Sequence, residues 1–391
     1  MKILFATESY YPNIDGGAIA QHRLVHELVK RGNEVAVIAP SFSFKNCVEQ
    51  DKGSTIFRPR GLTLPFYMNN KYHFSPLPIF QSNKIIKIFK PDVVNVCSPY
   101  PIGANTVICA KKYRIPIIGS IHILPENMLS PFLNSRYYSM MNKYSWKYLV
   151  YFFNLVDWAT APTQTGANMY IDRGLKTKIT PISNGVNTEI FNPNNNGEYL
   201  RKKFNIPKEN IVLYTGRMSS EKNLDVLVKA IPLVVKEIDA HFLFCGSGGG
   251  YKQKMKKLTE KLHVSGSTTF VDFLDWQDYI NIYSLADLFV MPAEAELQSI
   301  VTMEAISSGL PAVVVNKGAV PELVSLDNGF LFEPRNSKQL ASNIIKILSD
   351  KNLRNTMSKN SLELIKNHSM SHVGCQFEKV YVSVIESYKN K

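Results

Sequence analysis

Short apolar runs alternate along the chain with segments of helical periodicity. KILFAT, near the start, reads as a strand. AIAQHRLVHELVKRG follows as a helix, with Leu24, Val25, Leu28 and Val29 on one face and Gly32 placed to cap its end. The alternation continues through EVAVIAP (strand), KIIKIFKP (helix, stopped before Pro91), DVVNVCSP (strand), GANTVICAKKYR (helix) and IPIIGSIH (strand). After residue 200 the plan repeats. NIVLYTGR, AHFLFCG, STTFVDFL, DLFVMPA and PAVVVN read as strands; NLDVLVKAIPLVVKE, YKQKMKKLTEKL, YINIYSLA and SIVTMEAISSG read as the helices between them. From NSKQLASNIIKIL onward the pattern is helical throughout. Strands alternating with helices predict parallel sheets covered on both faces, an α/β architecture of two Rossmann-like, doubly wound domains.

A chain of 391 residues is long enough for two such domains. NTEIFNPNNNGEYLRKKFNIPKEN, rich in Asn, Pro and Gly, suits a hinge between them. The expected division is residues 1–190 and 191–370, with the carboxyl ends of both sets of strands facing one cleft, where ligands of this architecture bind. Residues 1–180 hold 21 Lys+Arg against 10 Asp+Glu, a net of +11; the remainder nets only +2. So lopsided a balance points the first half at an anionic partner, or is a basic surface that aids solubility. Five scattered cysteines have neither disulfide nor metal-ligand spacing and point to a reducing compartment, the cytoplasm. The N-terminal apolar run is too short for a secretory signal, and no run of 18 apolar residues predicts a membrane span.

Four stretches carry candidate chemistry, each at the carboxyl end of a predicted strand. In MPAEAELQSIVTMEAISSGLP, Glu296 lies in the loop before a helix and Glu304 about a turn inside it. The amides near Ser299 and Ile300 would favour a phosphate, and the two carboxylates would accept hydrogen bonds from sugar and ribose hydroxyls. The plain alternative is one loop acid and one ordinary helix residue. In YTGRMSSEKNLDVLVKAI, Arg217 and Lys222 would converge on a diphosphate, or form a solvated charged loop in which Glu221 pairs with a neighbour. In SYYPNIDGGAIAQH, Gly16 and Gly17 let backbone approach a ligand closely. His122, in IIGSIHILPENM, would bond a sugar hydroxyl, take a proton, or be a satisfied core histidine. GSGGGY lacks the G-x-G-x-x-G pattern and reads as a strand-to-helix turn.

Taken in order, TGRMSSEKNLDVLVKAI, DLFVMPAEAELQSIVTMEAISSGLPAVV and GAVPELV with NGFLFEP resemble the donor-binding domain of retaining glycosyltransferases of family four, which have the GT-B fold. ESYYPNIDGGAIAQHRLVHELVKRGNEVAVIAP resembles their N-terminal signature and ISNGVNTEIFNP their interdomain segment. The resemblance implies a hexosyltransferase that retains anomeric configuration, uses a nucleotide-diphosphate sugar as co-substrate and needs no metal or other cofactor. It assigns Arg217 and Lys222 to the diphosphate, Glu296 to the transferred sugar, the amides of Ser299 and Ile300 to a phosphate, Glu304 to the ribose and Phe273 to the base. Gly17 would border the phosphates and acceptor, and His122 would contact sugar or acceptor. A final helix, about 371–391, would cross back onto the first domain. Two departures stand out: Gln298 and Ser299 replace a small apolar pair, and AISSGLP replaces Ala-Met-Ala-x-Gly-x-Pro, a packing change.

IHILPENM and the basic first half resemble members that glycosylate lipids such as diacylglycerol. LSPFLNSRYYSMMNKYSWKYLVYFF, with its aromatics, methionines and basic residues, suits a peripheral position on the anionic inner face of a membrane, or a core helix with a basic face. Other acceptors remain open: a surface polysaccharide or a soluble glycoside. A nucleotide-sugar 2-epimerase would share the architecture and need first-half carboxylates, of which Glu8, Asp15 and Glu126 are the candidates. A nucleic-acid-binding protein is the non-enzymatic alternative for the basic half, though no module signature for one is present. Oligomeric state has no sequence signal.

Overall fold

The structure, a computed structural model, describes residues 1–63, 72–76, 78–129, 136–207, 210–272 and 274–390. It divides into two compact units, Met1–Gly185 with Met370–Lys391, and Val186–Ser369.

The first unit opens with β1 (Lys2–Ala6), α1 (Gly16–Lys30), β2 (Glu34–Ile38), β3 (Cys47–Asp51), β4 (Ser54–Arg58) and the short pair β5 (Leu62–Thr63) and β6 (His73–Phe74). It continues through α2 (Ile79–Phe89), β7 (Val93–Val96), α3 (Pro101–Lys112), β8 (Ile117–Ser120), α4 (Pro125–Met128), α5 (Tyr138–Phe153), β9 (Trp158–Ala161), α6 (Gln164–Ile171) and β10 (Ile179–Pro181). Eight strands form one sheet in the order β10-β9-β8-β7-β1-β2-β4-β3. All pairings are parallel except β3 with β4. The β3–β4 hairpin departs from the purely parallel expectation. Its strand CVEQD is almost wholly exposed and has no apolar face to signal it. Its two-residue turn, Lys52-Gly53, has positive φ at both positions (44° and 88°), the geometry that matches the twist of a tight hairpin.

The second unit contains α7 (Tyr199–Lys203), β11 (Asn210–Thr215), α8 (Leu224–Val235), β12 (Ala240–Cys245), α9 (Gly249–Lys261), β13 (Thr268–Val271) and α10 (Trp276–Leu285). Then come β14 (Leu288–Met291), α11 (Ile300–Ser307), β15 (Ala312–Val315), β16 (Gly329–Phe332), α12 (Ser337–Ser349) and α13 (Lys351–Leu364). Six parallel strands run β13-β12-β11-β14-β15-β16. Counted within the unit this is 3-2-1-4-5-6, whose order reverses between β11 and β14, the place where ligands bind outside the carboxyl ends of strands. Unit-one strands β4-β2-β1-β7-β8-β9 repeat the order, with the reversal between β1 and β7.

The last helix, α14 (Met370–Lys389), belongs to the core of the first unit. Met370, Val373, Phe377, Val380, Tyr381 and Val384 pack in one cluster with Phe5 of β1, Leu24 of α1 and Ile118 of β8. The buried Tyr381 hydroxyl accepts a 2.7 Å hydrogen bond from Asn95 Nδ2, so the sheet holds this helix by a polar anchor inside an apolar contact.

Candidate active site

The reversal point of the second sheet gathers most of the sequence-predicted residues. After β11 the chain turns at Gly216, whose φ is 131°. Arg217 follows, its carbonyl held by the Tyr214 hydroxyl at 2.9 Å. Lys222 ends a single 3-10 turn, and Asn223 enters α8 in a left-handed conformation (φ 52°). The loop after β14 lies alongside. Asn223 donates to Glu294 at 3.2 Å, and Lys222 Nζ pairs with Glu296. Arg217 pairs with Glu221 at 2.7 Å. The structure thus brings Lys222 and Glu296 into direct contact and gives Arg217 the neighbour partner that the plainer sequence reading anticipated.

A third loop packs under these two. A side chain at Gly248 would put its Cβ 2.4 Å from Met218 Cβ. The glycines of GSGGGY therefore let the β12–α9 turn close against the loop that carries Arg217. GSGGGY is thus the strand-to-helix turn its sequence suggests, and its packing role follows from contact with a loop thirty residues away.

Ser299 is the N-cap of α11: its hydroxyl accepts from the Thr302 amide and hydroxyl, at 3.3 and 2.7 Å. The first backbone bond of the helix runs from Met303 to the Ser299 carbonyl. The amides of Ile300 and Val301 precede it and have no partner within the helix. Glu304 is buried at 1% exposure and accepts hydrogen bonds from the hydroxyls of Tyr279 (2.5 Å) and Tyr283 (2.9 Å) on α10. Both hydroxyls meet the same oxygen, Oε2, and so orient the Glu304 carboxylate from the α10 side. Neither tyrosine was singled out in the sequence, although their four-residue spacing puts them on one helix face. The serines of AISSGLP do more than pack: Ser307 donates to the Phe191 carbonyl and Ser308 to that of Glu304. Phe273 lies outside the described residues.

Charge around the two loops is balanced. Arg217, Lys222, Lys317 and Arg335 face Glu221, Glu296, Glu294 and Asp225 in ion pairs from under 3 Å to 3.9 Å. An incoming diphosphate would therefore exchange with carboxylates rather than fill an uncompensated positive pocket.

Gly17 and His122 come together in the first unit. A Cβ at Gly17 would stand 3.6 Å from His122 Cβ and 3.3 Å from Asp15 Oδ1. Asp15 caps α1 through the Ala18 amide at 3.0 Å and accepts from the Tyr72 hydroxyl at 2.7 Å. His122 follows β8 by two residues and bonds Asn184. Burial pushes its pKa down to about 4, against the opposing pull of Asp15. The ring is neutral near pH 7, which suits hydrogen bonding and makes it a weak proton acceptor. It lines a pocket with Gln21, Ser120, Thr160 and Ser183.

The epimerase carboxylates are otherwise engaged. Glu126 joins α4 to α5 through Trp146 Nε1 (3.0 Å) and Asn142 (3.3 Å). Glu8 bonds Ser98 and the Ile102 amide at the start of α3.

Two adjoining family models account for most of the chain. Residues 14–190 match Glycosyltransferase Family 4 and residues 196–363 match Glycosyl transferases group 1. The chain is a glycosyltransferase of family four. Its similarity to the sulfoquinovosyl transferase SQD2 of Arabidopsis thaliana is 26% identity, over 92% of this chain and 69% of that one. For the alpha-monoglucosyldiacylglycerol synthase of Streptococcus pneumoniae the figures are 24%, 83% and 73%. Among solved structures, the sucrose-phosphate synthase of Thermosynechococcus elongatus superposes with a TM-score of 0.81 at 18% identity, covering 99% of both chains. Anabaena HepE, in complex with UDP and glucose, superposes at 0.78 and 19%, covering 98% of this chain and 100% of that one. This family-four enzyme thus has the GT-B fold.

Proposed function

We propose that this glycosyltransferase is a retaining hexosyltransferase that moves a sugar from a nucleotide-diphosphate sugar to the hydroxyl of a membrane lipid of the diacylglycerol type. The observation that carries the donor half is the meeting of Lys222, Glu296 and the α11 N-terminus on adjoining loops, at the strand-order reversal of the second unit. The diphosphate takes Arg217, Lys222 and the first-turn amides of α11. Glu296, released from Lys222, accepts hydroxyls of the sugar, and Glu304, held by its two tyrosines, accepts those of the ribose. The acceptor oxygen bonds to the anomeric carbon on the face from which the diphosphate departs, its proton passes to the departing diphosphate oxygen, and the two cations stabilise the charge that grows there. No metal is assigned to the transfer. The relative named as an alpha-monoglucosyldiacylglycerol synthase supports a lipid acceptor.

On α5 and its N-cap residue, Tyr137, Met140, Tyr144, Tyr148 and Tyr151 are 46–64% exposed along one side, next to exposed Lys143 and Lys147. The opposite side buries Trp146, Leu149, Val150, Phe152 and Phe153. Tyrosine and lysine on an exposed face suit the headgroup region of an anionic bilayer. The preceding residues 130–135 of that stretch lie outside the described residues.

The test is a melting-temperature panel of nucleotide sugars, followed by transfer to diacylglycerol in anionic vesicles, with the anomeric configuration of donor and product read by NMR. Lys222→Ala is expected to lower turnover by about 10²–10³-fold while circular dichroism stays unchanged. Undiminished turnover removes the diphosphate assignment. An inverted product removes the retaining one. Epimerisation of the donor without acceptor would favour the competing enzyme class.

A further inference from the structure

His22 and His26 are four residues apart on α1 and so share a helix face. Asp51, the last residue of β3, stands against both: each Nε2 is 2.8 Å from the same oxygen, Oδ2. The three ligand atoms lie within 4.8 Å of one another, and the three side chains are only 18–21% exposed. Two imidazoles needing nothing more than an acceptor would be free to divide the carboxylate between them; here both converge on one atom. We propose that His22, His26 and Asp51 form a zinc site with three protein ligands and a fourth position for water, clipping the β3–β4 hairpin to α1.

The donor set decides the metal. Two imidazoles and a carboxylate suit zinc and its transition-metal neighbours, whereas calcium and magnesium call for oxygen ligands throughout. Zinc bonds of about 2.0–2.2 Å in a tetrahedron separate the ligand atoms by roughly 3.3 Å. Each 2.8 Å contact would open by about half an ångström, within reach of small side-chain rotations. The surroundings are already ordered. Tyr11 stacks on His22 with ring centroids 4.5 Å apart and planes 11° from parallel, and buried Tyr10 meets the same ring edge-on at 5.6 Å. Arg58 of β4 donates to the Tyr11 carbonyl at 2.7 Å. The metal would thus brace the loop between β1 and α1, the loop that leads to Asp15 and Gly17, without entering the transfer chemistry.

Full-length protein, stripped with chelator and with its thiols alkylated, is titrated with zinc by calorimetry, and bound metal is counted by mass spectrometry after dialysis. One zinc per chain is expected, with a melting temperature that rises by several degrees on binding, and cobalt is expected to give the visible absorption of a tetrahedral site. His22→Gln with His26→Gln should weaken binding at least tenfold. Asp51→Asn keeps an acceptor for the imidazoles but removes the charge. It should weaken zinc by about tenfold or more while leaving the metal-free melting temperature nearly unchanged. His263→Asn, elsewhere on the surface, should change nothing. A wild type that retains no zinc, or equal binding by Asp51→Asn, overturns the site. Should the double histidine variant fail to fold, the wild-type and Asp51→Asn titrations decide the question alone.

Discussion

Burial raises the Glu8 carboxyl from its ordinary 4.5 to about 7, overriding the hydrogen bonds from Ser98 and the Ile102 amide that pull the other way. The unfolded chain releases this proton near 4.5. Between about 4.5 and 7 the folded state binds more protons, so the stability this group contributes is whole at low pH and is lost as pH rises through 7. Glu8→Gln should therefore gain on the wild type as pH goes from 5 to 8, by about 1–3 kcal/mol in denaturant unfolding. A difference that does not change with pH would refute the burial argument. At this scale the sequence exposes residue types and positions along strands, but not environments. Gly17 and His122 were legible as residues following separate strands, and the fold places them side by side. The buried state of Glu8 was not legible, because residues that enclose it, Ser98 and Ile102 among them, lie ninety or more positions along the chain. Lys222 and Glu296 each carried a readable chemical logic, whereas their mutual contact follows only from β11 and β14 being neighbours.

Tyr283 shows how elements are joined around a site. From α10 its hydroxyl meets Thr215 of β11 at 2.9 Å, Tyr279 at 3.1 Å and Glu304 of α11 at 2.9 Å. Tyr283→Phe keeps the ring packing against Phe191 and removes this junction. Since Thr215 and Glu304 are both buried, the expected cost is about 1–3 kcal/mol in urea unfolding. If Glu304 binds ribose, the Michaelis constant for the nucleotide sugar should rise as well. A variant as stable as the wild type would show that the hydroxyl network contributes nothing net. Elements of this kind were the most legible part of the chain. β11, β12, β14 and β15 are continuous apolar runs, as strands covered on both faces must be, and α1 and α8 show the periodicity of one buried side. The β3–β4 hairpin escaped because its signal was a two-residue turn rather than an apolar face. With it went Asp51, and hence the meaning of the His22–His26 spacing.

Across the whole molecule, the fold class was the most secure inference, since two successive sets of alternating strands and helices admit few architectures. The charge asymmetry was equally plain, but it does not name a partner. Residues 1–180 carry the net +11, and the exposed side of α5 adds a row of tyrosines beside Lys143 and Lys147. No helix among the described residues is long and apolar enough to cross a membrane, so any attachment through this face would be interfacial. An interfacial attachment of this composition has two separable parts. The electrostatic part scales with anionic lipid, contributes about 1 kcal/mol for each lysine near the surface, and fades as the screening length falls from about 10 Å at 0.1 M salt to about 3 Å at 1 M. The tyrosines add insertion, which salt does not screen. Co-sedimentation with vesicles of anionic lipid is therefore expected at low salt, falling steeply towards 1 M, with little binding to zwitterionic vesicles at any salt. Lys143→Glu with Lys147→Glu should weaken the binding at least tenfold and flatten its salt dependence. Tyr144→Ser with Tyr151→Ser should weaken it and leave the salt dependence intact. Binding indifferent to salt and lipid charge, or none to anionic vesicles, would remove the membrane from the proposal and leave a soluble hydroxyl as the acceptor.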